Sequence, residues 1–257
     1  MRFKGFGPTV GVTYAVLPRA WDVFVSYSRP FKSPNVDDFA AEFPDYASNI
    51  QLKPQQANAY ELGTRAFHGP WTLKSTWFYA STAKEILFNP LDFQSQNFDT
   101  RRMGLESSVR FELPSRLHSS LTYTVMDARF HKGPFASNTI PGTPRHTFRA
   151  GVGVSPLPLL WMDLDWLVVD DFFRINDVQN KLGKELGYNV LNLIVQYSVP
   201  HTGAWHTWPA MDAYVKFENL TNQHYNAFTS SNGKTLLGAG EYPMPSFGIT
   251  GGVTVRF

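Results

Sequence analysis

Several absences narrow the field before any motif is read. The 257-residue chain has no cysteine, which excludes disulfide scaffolds, thiol nucleophiles and thiolate metal sites together. Charged residues make up only 17%, against about 25% in an ordinary soluble domain, and the net charge is +2 with no basic block, so nothing asks for nucleic acid. No run approaches the ~20 apolar residues of a membrane helix, and no segment carries a convincing 3.6-residue apolar period. Met1–Pro8 has no apolar run behind its basic residues, so it is not a signal peptide. The start reads either as that of a cytosolic protein or as the continuation of a longer chain. What is abundant instead is aromatic side chains (15%), with 19 glycines and 18 prolines. That mixture fits a sheet protein whose two faces meet different solvents.

Alternation sets the fold class. Phe247, Ile249, Gly251, Val253, Val255 and Phe257 alternate with Ser246, Gly248, Thr250, Gly252, Thr254 and Arg256, a period of two and hence a strand. The same test predicts strands over 10–16, 21–28, 60–67, 71–79, 102–112, 120–125, 148–154, 162–166, 191–198, 211–218 and 246–257. The expectation is an all-β, antiparallel, up-and-down transmembrane barrel wall of about eleven strands.

The connections are as informative as the strands. Short turns at 17–20, 68–70, 113–116 and 155–158 alternate with long segments at 29–57, 84–100, 129–144, 170–187 and 220–245, apart from a medium turn at 200–210. A soluble sandwich has no reason to sort loop lengths by sheet end, whereas outer-membrane barrels have short periplasmic turns and long outer loops. Trp21, Trp71, Trp161, Trp205 and Trp208 fall at the short-turn end, as an interfacial girdle requires, with Trp77 and Trp166 mid-strand. Arg65, Arg102, Glu106, Arg110, Arg149, Asp163, Asp165 and Lys216, with Glu218 and Arg256, occupy the polar phase of their strands. In a soluble sandwich they form the solvent face; in a barrel they line the lumen.

Several segments together resemble the TonB-dependent outer-membrane receptors. These are Ser26-Tyr27-Ser28-Arg29-Pro30-Phe31-Lys32-Ser33-Pro34; Leu52-Lys53-Pro54-Gln55 followed by Tyr60-Glu61-Leu62-Gly63; Phe217-Glu218-Asn219-Leu220-Thr221-Asn222; and the terminal strand 251–257. Two departures are Gln55, where the family usually has Glu, and Tyr242-Pro243-Met244-Pro245-Ser246, which lacks a common Gly-Arg. The resemblance implies that residues 1–257 are the C-terminal half of a 22-stranded barrel in the bacterial outer membrane. The plug domain and TonB box belong to a part of the receptor not seen in this sequence. It implies active uptake of a scarce small-molecule ligand, foremost a ferric siderophore, otherwise cobalamin or a sugar. The implied partners are outer-membrane lipid, the N-terminal barrel half and plug, TonB acting through the plug, and the outer-membrane insertion machinery. That machinery reads a C-terminal strand ending in an aromatic, here Phe257. The alternatives are an independent small outer-membrane barrel, either a passive porin or an enzyme, and a soluble sandwich module.

No catalytic, cofactor or metal site is expected. His201 and His206 share a turn, Asp170-Asp171 lack a histidine beside them, and Gly233-Lys234-Thr235 lacks the upstream glycine of a P-loop. Ligand contact is expected on the long loops, where Phe130, Phe135, Phe172, Phe173, Tyr225, Phe228 and Tyr242 gather; the competing expectation is that these rings pack loop against loop.

Overall fold

The computed structural model describes residues 5–39, 49–113, 116–199, 210–231 and 240–256. Its strands are β1 (Thr9–Leu17), β2 (Trp21–Ser28), β3 (Phe31–Lys32), β4 (Gln55–His68), β5 (Trp71–Asn89), β6 (Gln94–Leu113), β7 (Leu117–Phe130), β8 (His146–Leu157), β9 (Leu160–Val169), β10 (Phe172–Phe173), β11 (Lys184–Glu185), β12 (Tyr188–Val199), β13 (Ala210–Glu218), β14 (Asn226–Thr229), β15 (Glu241–Pro243) and β16 (Gly248–Arg256). A single turn of helix, α1 (Val36–Phe39), sits in the β3–β4 connection. Eleven of the strands form one antiparallel meander in the order β1-β2-β4-β5-β6-β7-β8-β9-β12-β13-β16, with β3 attached beside β4. These are the eleven strands read from alternation. Among the described residues β1 pairs only with β2 and β16 only with β13, so the sheet ends in two open edges.

The hydrogen-bond register shows why polarity alternates. Leu193 pairs with Leu164 and Phe217, while the next residue, Ile194, pairs with Asp163 and Lys216. Carried across the sheet, one face collects Val25, Leu62, Leu73, Leu105, Leu121, Val152, Leu164, Val215 and Val253, all exposed apolar side chains. The other face collects most of the charges, hydroxyls and glycines, with a few apolar residues such as Phe24, Phe78 and Ile194 among them. A water-soluble sheet buries its apolar face, and this one presents it outward, as a lipid-facing wall must.

Aromatic rows bound the apolar band. At the long-loop end Tyr27, Tyr60 and Tyr79 are successive cross-strand partners with ring centroids 5.1 and 6.5 Å apart. At the short-turn end Trp21 and Trp71 face outward, and Trp71 packs 4.7 Å from Phe111. Trp71 and Tyr79 are eight residues apart on one strand, about 27 Å at the usual strand rise. With a tilt of ~40° the band is about 21 Å tall, close to that of outer-membrane barrels. Beyond the upper row the outward register positions turn polar at once, through Ser81, Arg101 and Arg129. Trp161 lies at the short-turn end but on the inner face, its ring 5.3 Å from His118, so it does not extend the lower row. Trp205 and Trp208 lie outside the described residues.

The short turns follow from local chemistry. Gly69 takes a φ of +55° in the two-residue connection from β4 to β5, the left-handed geometry that such hairpins favour. The expected loop over 84–100 is corrected: β5 and β6 run on as a 19- and a 20-residue ribbon joined through 90–93. Alternation hid this because the register shifts between Thr82 and Glu85, with Lys84 at a φ of +58°. One extra residue in the strand swaps the faces beyond it and breaks the period of two. The water-excluding core lies above the band, where Phe98, Ala128, Phe130, Phe135, Ile140 and Val178 are buried together. Only there does water drive apolar side chains together; within the band, lipid solvates them.

Candidate lumen wall and loop mouth

The inner face is built from ion pairs along and across strands. Arg65 on β4 donates to its register partner Asp22 on β2 at 2.9 Å. Arg102 on β6 grips Glu85 on β5 with both terminal nitrogens at 2.8 Å, a bidentate fork with Thr100 bonded to the same carboxylate. Arg149 on β8 donates to Asp165 on β9 at 2.8 Å, and Lys216 to Glu218 at 2.7 Å along β13. Arg110 and Glu112 stand 3.6 Å apart near the short-turn end, and Arg256 bonds Asp212. Glu106 occupies the same face between Thr76 and Thr124. The Arg149 and Arg110 side chains are 66% and 65% exposed, so these pairs contribute little to stability. Their effect is to give the wall alternating charge without a large field of one sign.

A glycine makes the tightest part of this wall. His118 on β7 reaches across β8 to Asp163 on β9, Nε2 to Oδ1 at 3.0 Å. Gly153 lies between them, and a Cβ there would come within 2.2 Å of the His118 ring and 2.4 Å of the Asp163 carboxylate. His118, Arg149, Asp163, Asp165, Asn192 and Lys216 therefore line one shallow concavity on the inner face.

Of the sequence-predicted lumen residues, the structure brings together Arg149, Asp163, Asp165 and Lys216, and sets Arg65, Arg102, Glu106 and Arg110 elsewhere on the same face. Asp22, the partner of Arg65, and Asp212, the partner of Arg256, share the period of two and are findable from it. Glu85 is not, because the bulge reverses its phase. His118 escapes the alternation, which starts this strand at residue 120, whereas β7 begins at Leu117.

The loop aromatics divide by burial. Phe130, Phe135 and Phe172 are enclosed, the first two with Phe98 at ring distances of 5.5–5.7 Å. Phe173 lies under the Lys184 ammonium at 5.5 Å. Tyr225 stacks on Tyr188 at 4.4 Å, and Phe228 on Tyr242 at 4.0 Å, with Tyr242 more than half exposed. Burial pushes the Tyr225 phenol above its ordinary value of 10.0. Phe257, His201, His206 and Gly233-Lys234-Thr235 lie outside the described residues. Among the described residues no group of three His, Asp or Glu side chains is placed to hold a metal ion.

A family model described as "TonB dependent receptor-like, beta-barrel" matches residues 1–220. No curated protein sequence matches. Among solved structures, the chain is similar to the ferric yersiniabactin uptake receptor FyuA from Yersinia pestis, at a TM-score of 0.71 and 18% identity over 95% of this chain and 36% of that one. It is similar to the ferric-catecholate import receptor Fiu from Escherichia coli K12 (TM-score 0.71, 20% identity, 96% and 34% covered). It also resembles a mutant of the ferric enterobactin receptor PfeA from Pseudomonas aeruginosa (TM-score 0.75, 16% identity, 98% and 40% covered). The chain thus spans between 34% and 40% of the length of these structures.

Proposed function

Because the chain belongs to the TonB-dependent receptor β-barrel family, we propose that it is the C-terminal wall of an outer-membrane receptor for active uptake of a scarce ligand. A ferric siderophore is the foremost candidate, with cobalamin or a sugar as the other ligand classes. The observation that carries this reading is the inverted polarity of the sheet: an apolar band between two aromatic rows outside, ion pairs inside, and, among the described residues, large folded connections gathered at one end. Further strands close the wall at β1 and β16, and a plug within the completed barrel carries the coupling to TonB. The wall performs no chemistry. Its loops and the upper inner face capture the ligand, with exposed Tyr242 and half-buried Phe173, Tyr225 and Phe228 offering ring surfaces and buried Phe130, Phe135 and Phe172 fixing the loops that present them. The inner charges of Arg65, Arg102, Glu106, Arg110, Arg149, Asp163, Asp165 and Lys216 face the plug and the ligand path. Phe257 serves the insertion machinery as a terminal aromatic.

The test is uptake of radiolabelled ferric chelates by cells carrying or lacking the complete receptor, with TonB present or deleted. Accumulation of one chelate that needs both receptor and TonB is the expected result. TonB-independent permeation of unrelated small solutes would instead identify a passive pore.

A further inference from the structure

Three of the long connections are fastened to one another chiefly through one short segment, beside which the Gly142 N–H donates to the Phe173 carbonyl at 2.8 Å and the Asn226 amide to Glu185 at 3.1 Å. Residues 174–183, between β10 and β11, fold around Asp177, whose fully buried carboxylate accepts the Lys181 and Leu182 amides at 3.0 and 2.9 Å. On one side of this segment the Asn180 amide group reads the backbone of Thr139 in the β7–β8 connection. It accepts the Thr139 N–H at 2.6 Å and donates to the Thr139 carbonyl at 3.0 Å, as a neighbouring strand would. The Asn138 side chain donates to the Val178 carbonyl at 2.9 Å, and Val178 is buried against the Phe98, Phe130, Phe135 and Ile140 cluster. On the other side Ile175 bridges the β13–β16 connection. Its N–H donates to the Thr229 carbonyl and its carbonyl accepts the Ser231 N–H, both at 2.9 Å. The Asn176 amide adds a bond to the Ser231 carbonyl at 3.3 Å.

We infer that residues 174–183 are a clasp that makes residues 138–140 of the β7–β8 connection, the β9–β12 connection and residues 229–231 of the β13–β16 connection one mechanical body, so that a force or contact on any one of them moves all three. The bonds on the two sides are made by different residues, Asn180 and Ile175–Asn176, joined through the compact turn around Asp177. Opening either side exposes that turn to water, so the two sides open together. Separate loops would open one at a time; clasped loops open cooperatively, as a single locally unfolding unit. The inference concerns loop mechanics and does not depend on which ligand the receptor takes.

Two substitutions test it with little backbone strain. Asn176 and Asn180 have φ of +72° and +56°, a conformation that glycine adopts freely. Asn180→Gly and Asn176→Gly therefore remove the side-chain bonds while leaving the turn accessible. Amide hydrogen exchange of the complete receptor in nanodiscs supplies the readout. With Asn180→Gly, which removes the two bonds to Thr139 and one to the Asp177 carbonyl, exchange at Ile175 and Ser231, on the far side, should accelerate at least about fivefold, the factor that even one lost hydrogen bond of ~1 kcal/mol gives. With Asn176→Gly, exchange at Thr139 should accelerate likewise, while amides within the β5–β6 pairing stay unchanged. Acceleration confined to the mutated side in both variants overturns the inference. Should a variant fail to insert, a denaturant series on the unsubstituted receptor decides: Thr139, Ile175 and Ser231 must share one opening free energy and slope, and distinct slopes refute the clasp.

Discussion

Adjacent residues of β12 give the sharpest test of the wall's two faces. Leu193 and Ile194 are both aliphatic, and hydropathy does not separate them. Register does: Leu193 lies in the outward row between Leu164 and Phe217, and Ile194 in the inward row between Asp163 and Lys216. Leu164 is the middle of the five outward residues of β9, so Leu193 beside it sits near the centre of the apolar band. An arginine on the lipid face near the midplane costs ~2–4 kcal/mol, so Leu193→Arg should lower the folding equilibrium roughly 30- to 700-fold. Ile194→Arg meets a different environment. Its head group stays on the wet inner face beside Asp163 and Lys216, where one attractive and one repulsive contact nearly cancel, and the net change should stay within ~1 kcal/mol. Urea titration of the complete receptor folded into liposomes measures both. Equal losses, or a larger loss for Ile194→Arg, would refute the assignment of faces.

Gly153→Ala places a Cβ against His118 and Asp163 and should destabilise the same receptor by ~1–3 kcal/mol; a neutral result in the urea titration contradicts the packing around that glycine. Phe130→Ala removes the most deeply buried ring of the loop core and should cost ~3–5 kcal/mol of local stability, read as faster exchange throughout residues 131–140 and not in β8. An epitope inserted at Gly133 should be labelled on intact cells, and one at Gly69 only after permeabilisation; the opposite pattern inverts the topology. Tyr225 holds its proton more tightly in the fold than in the unfolded chain. Loop stability should therefore be constant below pH ~10 and fall above it, where the unfolded chain ionises first. Tyr225→Phe should remove that component of the alkaline loss, and an unchanged profile would count against burial of the phenol.

How much of this was legible depends on which solvent each residue meets. Inside the band most outward side chains are apolar and most inward ones small or polar, so Leu191, Leu193, Val195 and Tyr197 declare both their strand and their face, while Ser75 and Ser107 outward and Phe24, Phe78 and Ile194 inward depart from the pattern. The same constraint located all eleven strands and most of the inner charges. Above the band the constraint lapses. There β5 and β6 continue to Asn89 and from Gln94 with Ile86, Asn89 and Phe98 buried against folded connections instead of facing lipid, and the Lys84 bulge reverses the phase, so the position of Glu85 in the chain does not assign it to the inner face. The loop aromatics were legible as a group but not one by one. Phe130 and Phe228 are equivalent in a sequence, and only the folding of residues 131–145 and 174–183 upon each other encloses the first and leaves the second partly open.

The edges carry the last step of the argument. Most outward side chains of the terminal strands are more exposed than those in the middle of the sheet: Val10, Val12 and Tyr14 on β1 at 61–67% and Ile249 and Val253 on β16 at 61% and 65%, against 39–41% for Leu105, Leu121 and Leu164, with Val255 at 42% and Val25 and Leu62 near β1 at 53% and 58% departing from the trend. A side chain on an interior strand is screened by neighbours on both sides, and these edge residues are screened on one. The backbone faces the same deficit. Along each nine-residue edge about half the peptide groups point away from the only neighbouring strand, and every one left unpaired in hydrocarbon costs several kcal/mol. No charge, proline or bulge in the middle of β16 blunts that edge in the way soluble sheets protect theirs, and its outward residues keep the apolar pattern to Val255. Such an edge is tolerable in lipid only when another strand covers it. Covering strands at β16 and at β1 are what the receptor barrel we propose would supply.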